Sequence, residues 1–412
     1  MGEARIDPDR LDRDFGELSA IGATGDGGVD RPALGNGHLA ARRWFRERIE
    51  ADGLEFHQDG AGNHSAVLRA RDRDARTLLI GSHLDSVPRG GRFDGALGVV
   101  AACEVVRAVR DADLRLPFHL EAIDFTDEEG ALGCLLGSRA LAGTLDREEL
   151  EDPRCGRAFL DERLQRAGLT REGLLGARRA PETLAGFMEL HIEQGPRLAS
   201  AGAVIGIVSS IVGIGSFALR LRGRADHAGT TPLGARRDAG RGAAALIVAA
   251  NERVERDFPD CVVNFGEMTL EPGAYNIVPG AAHLAVEFRA ADDAGMRAME
   301  DLLLELAREQ AERFELEVDV RPQATIAPVP CAATVQAAFQ AACRQLDLRH
   351  EHLTSGAGHD TGALARVCPA GMIFVPSTGG SHSPREHAEW HDCVAGASTL
   401  LQAVLHFAKE NR

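Results

Sequence analysis

The stretch GSHLDSVPRGGRFDGALG, Gly81–Gly98, places His83, Asp85 and Asp94 in a glycine-rich segment directly after the apolar run TLLIGS. Three further stretches share this design, an apolar run that ends in polar residues. LPFHLEAIDFTDEEG supplies Glu128 and Glu129, GFMELHIEQGP supplies His191 and Gln194, and GMIFVPSTGGSHSPREHAEW supplies His382. Each alone is a weak signal, because a lone loop histidine is seldom a ligand and adjacent glutamates are usually a solvated surface. Three histidines and three carboxylates gathered at one sheet edge would be different. Imidazole nitrogen and carboxylate oxygen suit Zn²⁺ or Mn²⁺, and catalytic sites of such ions keep one position open for water. Two ions ~3.5–4 Å apart need a bridging group, for which a carboxylate is suited. Asp94 in GGRFDG has glycines on both sides, which lets backbone come close. Asp85 stands two residues after His83, on the same face of an extended chain, where it could hold the imidazole; a plain turn aspartate explains the spacing equally well. Glu128 and Glu129 must point in different directions, so that one can bind metal while the other acts as general base. The sequence alone does not assign the two tasks.

The elements that must position these residues follow from periodicity. An amphipathic helix starts near Gly37, FHQDGAGNHSAVLRA alternates, and TLLIGSHLD reads as a short buried strand. GALGVVAACEVVRAVRDA is helical. Strands alternating with helices predict an α/β fold with a mainly parallel sheet and helices on both faces. In such sheets ligands bind outside the carboxyl ends of the strands. Near Ser209 the texture changes. GSFALRLRGRADHAG alternates, a helix follows in RRDAGRGAAALIVAANERVERDF, and then come two strands, a helix to about Phe314 and a strand ELEVDVRPQA. This β-α-β-β-α-β pattern has the size of a small α+β domain. The expected division is a catalytic domain in two parts, 1–209 and 327–412, around an inserted domain at 210–326.

Bulk properties narrow the function. A chain of 412 residues is long for one core, and 44% hydrophobic residues suffice for a packed one. A formal net charge of -16 disfavours nucleic acid as a partner. No segment approaches ~18 unbroken apolar residues, so no membrane span is expected. The charged start MGEARIDPDRLDRDFGELSAIG lacks the apolar stretch of a signal peptide, and the eight cysteines show no CxxC spacing. The expectation is a reduced, cytoplasmic protein.

Taken together, GSHLDSVPRGGRFDGALGV, DEEG, LHIEQGP, ADHAGTTP, RRDA, NIVPG, SGAGHDT and GGSHSPRE resemble the zinc-dependent hydantoinase/carbamoylase family, within the wider aminoacylase-like dinuclear metallohydrolases. The motifs occur in family order over nearly the whole chain. The resemblance implies two divalent ions per subunit, Zn²⁺ or Mn²⁺, with Co²⁺ or Ni²⁺ as further possibilities. His83 and His191 would bind one, Glu129 and His382 the other, and Asp94 would bridge. Glu128 would be the general base, with Asp85 supporting the site. His227 in ADHAGTTP would reach the partner subunit's active site and steady the oxyanion. Gln194, Asn276, Arg289 and, less directly, His359 would bind substrate, with Arg289 clamping its carboxylate; a surface arginine and a structural cap are the plainer readings of Arg289 and His359. The inserted domain would serve as dimerisation and lid domain. An uncovered edge strand there is a liability unless paired, and two-fold pairing with a second copy would make a homodimer.

The implied substrate is a small ureido-carboxylate. The main reading is hydrolysis of the ureido C–N bond of an N-carbamoyl-L-amino acid to the amino acid, CO₂ and ammonia. Allantoate and N-carbamoyl-β-alanine are the alternatives. A non-catalytic binding protein would be expected to lose ligands or base, and this chain keeps them; a dinuclear aminopeptidase would need an amine anchor in place of HIEQGP. In allantoate enzymes of the family an arginine often lies in the strand before the HAG motif. Here Gly215, Ser216 and Phe217 stand there, which tilts the reading toward carbamoyl amino acids. One departure is visible: after EEG the segment ALGCLLGSRA is shorter than the family's usual Arg-Phe-Gly passage, which bears on the loop beside Glu129.

Overall fold

The computed structural model describes residues 4–411. The chain divides into two compact units, Ser210–Pro330 and the remainder on either side of it.

The larger unit is built on a nine-stranded sheet. Its middle is four parallel strands in the order His119–Phe125, Thr77–His83, Leu184–Ile192 and Ala370–Val375. Antiparallel strands flank them, Glu55–Gln58 with His64–Leu68 on one side and Ile205–Ile211 on the other. The strand Thr77–His83 shows why its sequence is apolar without alternation. Leu78 and Ile80 enter one core with the helices Ala96–Asp111, Ala333–Gln345 and Trp390–Glu410, while Leu79 enters a second core with Leu141, Ala363 and Leu364. A strand covered on both faces has no polar side. The fold is therefore mixed α/β with a large, mainly parallel sheet, and its antiparallel margins are an addition to the expected pattern. The short helices Leu136–Ala142, Arg147–Glu151, Arg157–Arg166 and Arg171–Gly176 were not read from the sequence. They enclose a small cluster of their own around Leu34, Leu160, Leu164 and Leu174.

The smaller unit carries a four-stranded antiparallel sheet in the order Glu317–Ile326, Gly213–Arg222, Ala281–Ala290, Val262–Glu271. The helices Ala239–Asp257 and Asp293–Arg313 pack on one face through Leu246, Ala250, Met299 and Leu303 against Leu219, Leu221, Leu284, Val286 and Phe288. The unit extends to Pro330, beyond residue 326. Period-two alternation decides which side chains reach its other face. Gly215 and Phe217 point into the core; a Cβ on Gly215 would lie 2.3 Å from Phe288 Cζ. Of the three residues weighed against allantoate, only Ser216 stands on the open face, so the tilt taken from Gly215 and Phe217 lapses.

Candidate metal centre

The carboxyl ends of the four parallel strands and the loops after them carry the chemistry of the larger unit. His83 ends its strand, and His191 is the penultimate residue of Leu184–Ile192. Glu128 and Glu129 follow His119–Phe125, and His382 lies in the loop after Ala370–Val375. Asp94 sits just before the helix Ala96–Asp111, in a turn that needs Gly95: that residue has φ 62°, and a Cβ there would lie 2.4 Å from the His83 ring. Two donor groups result, His83–Asp94–His191 and Asp94–Glu129–His382, with Asp94 common to both. Asp94 Oδ1 is 3.6 Å from His83 Nε2 and 3.1 Å from His191 Nε2. Asp94 Oδ2 is 3.8 Å from His382 Nε2, which lies 3.5 Å from Glu129 Oε2.

The backbone presents these donors. His83 Nδ1 and His191 Nδ1 lie 3.0 and 2.9 Å from the carbonyls of Asp85 and Ile192. With Nδ1 of each ring engaged by a carbonyl, Nε2 is the atom that faces Asp94 and would face a cation held there. Asp85 works differently from the contact expected of it. Its carbonyl, not its carboxylate, meets His83, whose Nδ1 is 3.8 Å from Oδ1. The carboxylate instead accepts the backbone N–H groups of Glu128 and Glu129, each at 3.2 Å. One buried residue thus ties the histidine strand to the glutamate loop. Gln194, at φ 59°, donates from Nε2 to Asp94 Oδ2 at 3.0 Å, and Glu128 Oε2 lies 3.7 Å from His83 Nε2. His359 is buried. Its Nε2 pairs with Ser355 Oγ and its ring packs at 4.6 Å against His191, so in this unit it braces a donor.

The segment around Glu129 is tightly turned. Asp127, Cys134 and Leu135 take positive φ values of 58°, 56° and 54°. Such angles cost an L-residue roughly 1–2 kcal/mol each. The Asp127 carboxylate, accepting from Leu132 and Gly133, holds the turn in place.

Charge is concentrated here. Burial, then the fields of Asp360, Glu129, Asp85 and Asp94, push the Glu128 carboxyl well above its ordinary value. Burial, Asp94 and Asp85 drive Glu129 up to about 9. Burial takes His83 down to about 4. Burial pulls His191 down too, but its hydrogen bond to Asp94 and the charge of that carboxylate outweigh it and hold the imidazole up at about 9. Buried carboxylates that crowd one another beside two imidazoles form a donor set of nitrogen and oxygen that fits divalent cations.

Three buried carboxylates escaped the sequence reading. Glu189 accepts from Ser82 Oγ and from the N–H and Oγ1 of Thr361, linking two central strands to the helix Asp360–Leu364. A charge inside the apolar run LAGFMELHI was the available signal. Asp360 and Glu386 are buried as well; they stand inside the stretches SGAGHDT and GGSHSPRE, where their polar, turn-like surroundings gave no sign of burial.

In the smaller unit, the ladder Ile277↔His227 and Val278↔Asp226 brings Asn276 beside His227, and the Asn276 carbonyl accepts the Ala228 N–H at 3.0 Å. His227 Nδ1 accepts from Gly229 N and Thr230 N at 3.1 and 3.2 Å. Its proton is therefore on Nε2, as a donor on an exposed ring. Arg289 stands on the open face of the sheet, paired with Glu287.

Comparison with known proteins gives the class to which this sheet and its donor cluster belong. Residues 79–406 match peptidase family M20/M25/M40, to which the chain belongs. It is 37% identical to N-carbamoyl-L-amino acid amidohydrolase of Geobacillus stearothermophilus, over 98% of this chain and 99% of the relative. It is 31% identical to allantoate amidohydrolase of Escherichia coli, over 95% and 96% of the two chains. A crystal structure of an amidase of the hydantoinase/carbamoylase family from Burkholderia phymatum superposes with a TM-score of 0.90 at 34% identity, covering 100% of both chains.

Proposed function

We propose that this enzyme hydrolyses the ureido C–N bond of N-carbamoyl-L-amino acids, giving the amino acid, CO₂ and ammonia. The observation that carries the reading is the pair of donor groups sharing Asp94, with Glu128 beside them, in a chain so similar to a carbamoyl amino acid amidohydrolase. His83 and His191 would hold one ion, Glu129 and His382 the other, and Asp94 both. When bound, the two ions, of the Zn²⁺ or Mn²⁺ kind with Co²⁺ or Ni²⁺ as alternatives, would supply Lewis-acid polarisation of the ureido oxygen and acidify water. Glu128 accepts the proton of the attacking water and returns it to the leaving nitrogen. Gln194 and Asn276 orient the ureido group, His227 Nε2–H donates to the developing oxyanion, and Arg289 clamps the carboxylate.

The smaller unit is proposed to pair two copies, so that His227 serves the site of the partner subunit. Its outer strand Val262–Glu271 supports this, since Val262 and Met268 are exposed on an edge. The eight free thiols suit a reducing, cytoplasmic compartment. Among the described residues no helix is long and apolar enough to cross a membrane.

The test is ammonia release from N-carbamoyl-L-amino acids, N-carbamoyl-β-alanine and allantoate, before chelation, after chelation and after reloading with Zn²⁺ or Mn²⁺. Turnover of the carbamoyl-L-amino acids that vanishes on chelation and returns with metal is expected. Preference for allantoate across the panel would replace the substrate, and metal-independent turnover would remove the mechanism.

A further inference from the structure

Arg289 has a close acidic neighbour that the proposed reaction does not use. Glu287 lies two residues earlier on the same strand and the same open face. Its Oε1 accepts from both Nε and Nη2 of Arg289, at 3.0 and 2.8 Å. Two bonds from one side of a planar guanidinium to a single oxygen fix the plane of the whole group. Across the sheet, Arg289 is registered with Ile214 on one neighbouring strand and Val262 on the other. Glu287 is registered with Ser216 and Asn264, so the strands on both sides offer the carboxylate polar neighbours and no competing cation.

We propose that Glu287 is the positioning residue for the carboxylate clamp: it holds the Arg289 guanidinium in one orientation and, by its charge, makes the site favour a planar carboxylate that matches the fork over simple anions. This rests on the reading of Arg289 as the clamp. An unheld arginine must lose side-chain freedom when substrate arrives, whereas one already held does not. The negative charge offsets the net attraction of Arg289 for any anion, so matched geometry rather than charge alone decides what binds.

The test compares Glu287→Ala, Glu287→Gln and Arg289→Lys in the metal-loaded enzyme. The substrates are an N-carbamoyl-L-amino acid and the matching alkylurea without a carboxylate. Glu287→Ala is expected to raise KM for the acid ~10-fold with kcat little changed, the scale of a lost charge-assisted bond. Glu287→Gln keeps an acceptor oxygen and should restore KM to near the wild-type value, while competitive inhibition by chloride, a spherical anion, strengthens. Turnover of the alkylurea should be the same in wild type and both Glu287 variants. Unchanged KM in Glu287→Ala, with Arg289→Lys impaired on the acid, would overturn the positioning role and leave the clamp standing. An Arg289→Lys enzyme as good as wild type on the acid would overturn both. Equal losses on acid and alkylurea in Glu287→Ala would mean general damage to the sheet and would also overturn it.

Discussion

The two units hold their functional side chains in opposite ways. In the larger unit three of the donors are interlocked: His83, Asp94 and His191 are at most 3% exposed, and the carbonyls of their chain neighbours Asp85 and Ile192 meet the two imidazoles, while His382 stands exposed in its loop. In the smaller unit His227 and Asn276 stand exposed on a short ladder, and Arg289 lies on an open sheet face. A cation site must be pre-formed, because buried carboxylates tolerate one another only when positive charge is at hand. The groups proposed to grip substrate do not carry that constraint. They can wait at a surface until something covers them.

The comparison breaks most visibly at the paired glutamates. Glu128→Gln should keep its metal while kcat falls ~10²–10⁴-fold, the usual range for a lost general base. Glu129→Gln should instead lower metal content, measured by elemental analysis. Metal lost from the first variant and retained by the second would exchange their roles.

The exposed side of the comparison is probed by mixing subunits. Glu128→Gln and His227→Ala proteins, each impaired alone, should recover activity after exchange. If His227 acts across a two-fold interface, half the dimers are mixed and each has one complete site, so roughly a quarter of wild-type activity should return. No recovery, with exchange confirmed by mass, would confine His227 to its own chain or remove it from the reaction.

A smaller effect is expected at Gly95. A methyl group there meets the His83 ring, and the turn has positive φ. Gly95→Ala should cost ~1–3 kcal/mol of packing and strain and weaken metal binding by displacing the imidazole. Calorimetry of metal binding together with thermal unfolding reads both; unchanged affinity would mean that the turn moves without the ligand.

The smallest effect belongs to the helix cap of the smaller unit. Asp238 accepts the Arg241 N–H at the start of Ala239–Asp257. Asp238→Ala should cost ~1 kcal/mol. If the units unfold separately, only one of two calorimetric transitions should shift. A single transition that shifts as a whole would show that they unfold together.

Much of this was legible in the chain itself. The apolar run TLLIGS ends at His83, and LAGFMELHI carries His191 at its close, so both histidines could be placed at strand ends from local pattern alone. Alternation likewise outlined the β-α-β-β-α-β order of the smaller unit. The same period was read without its phase at Gly215–Phe217, where only Ser216 faces out. The four short helices after Leu135 were missed because none is long enough to display a clear 3.6-residue period.

What the sequence determined by itself is which chemical groups stand at which strand ends, because strand length, turn glycines and apolar runs are properties of a few neighbouring residues. What the tertiary structure decided is which atom meets which. The Asp85 carboxylate serves the N–H groups of Glu128 and Glu129, which lie 43 and 44 residues away, and leaves His83 to its carbonyl. Glu189 finds Thr361 across 172 residues, and Asp360 and Glu386 are buried by segments far from them in sequence. Local rules govern dihedral angles and faces. Hydrogen-bond partners inside a covered sheet are chosen only when remote strands come together, because an unmet buried polar group there costs free energy that a local rule does not register.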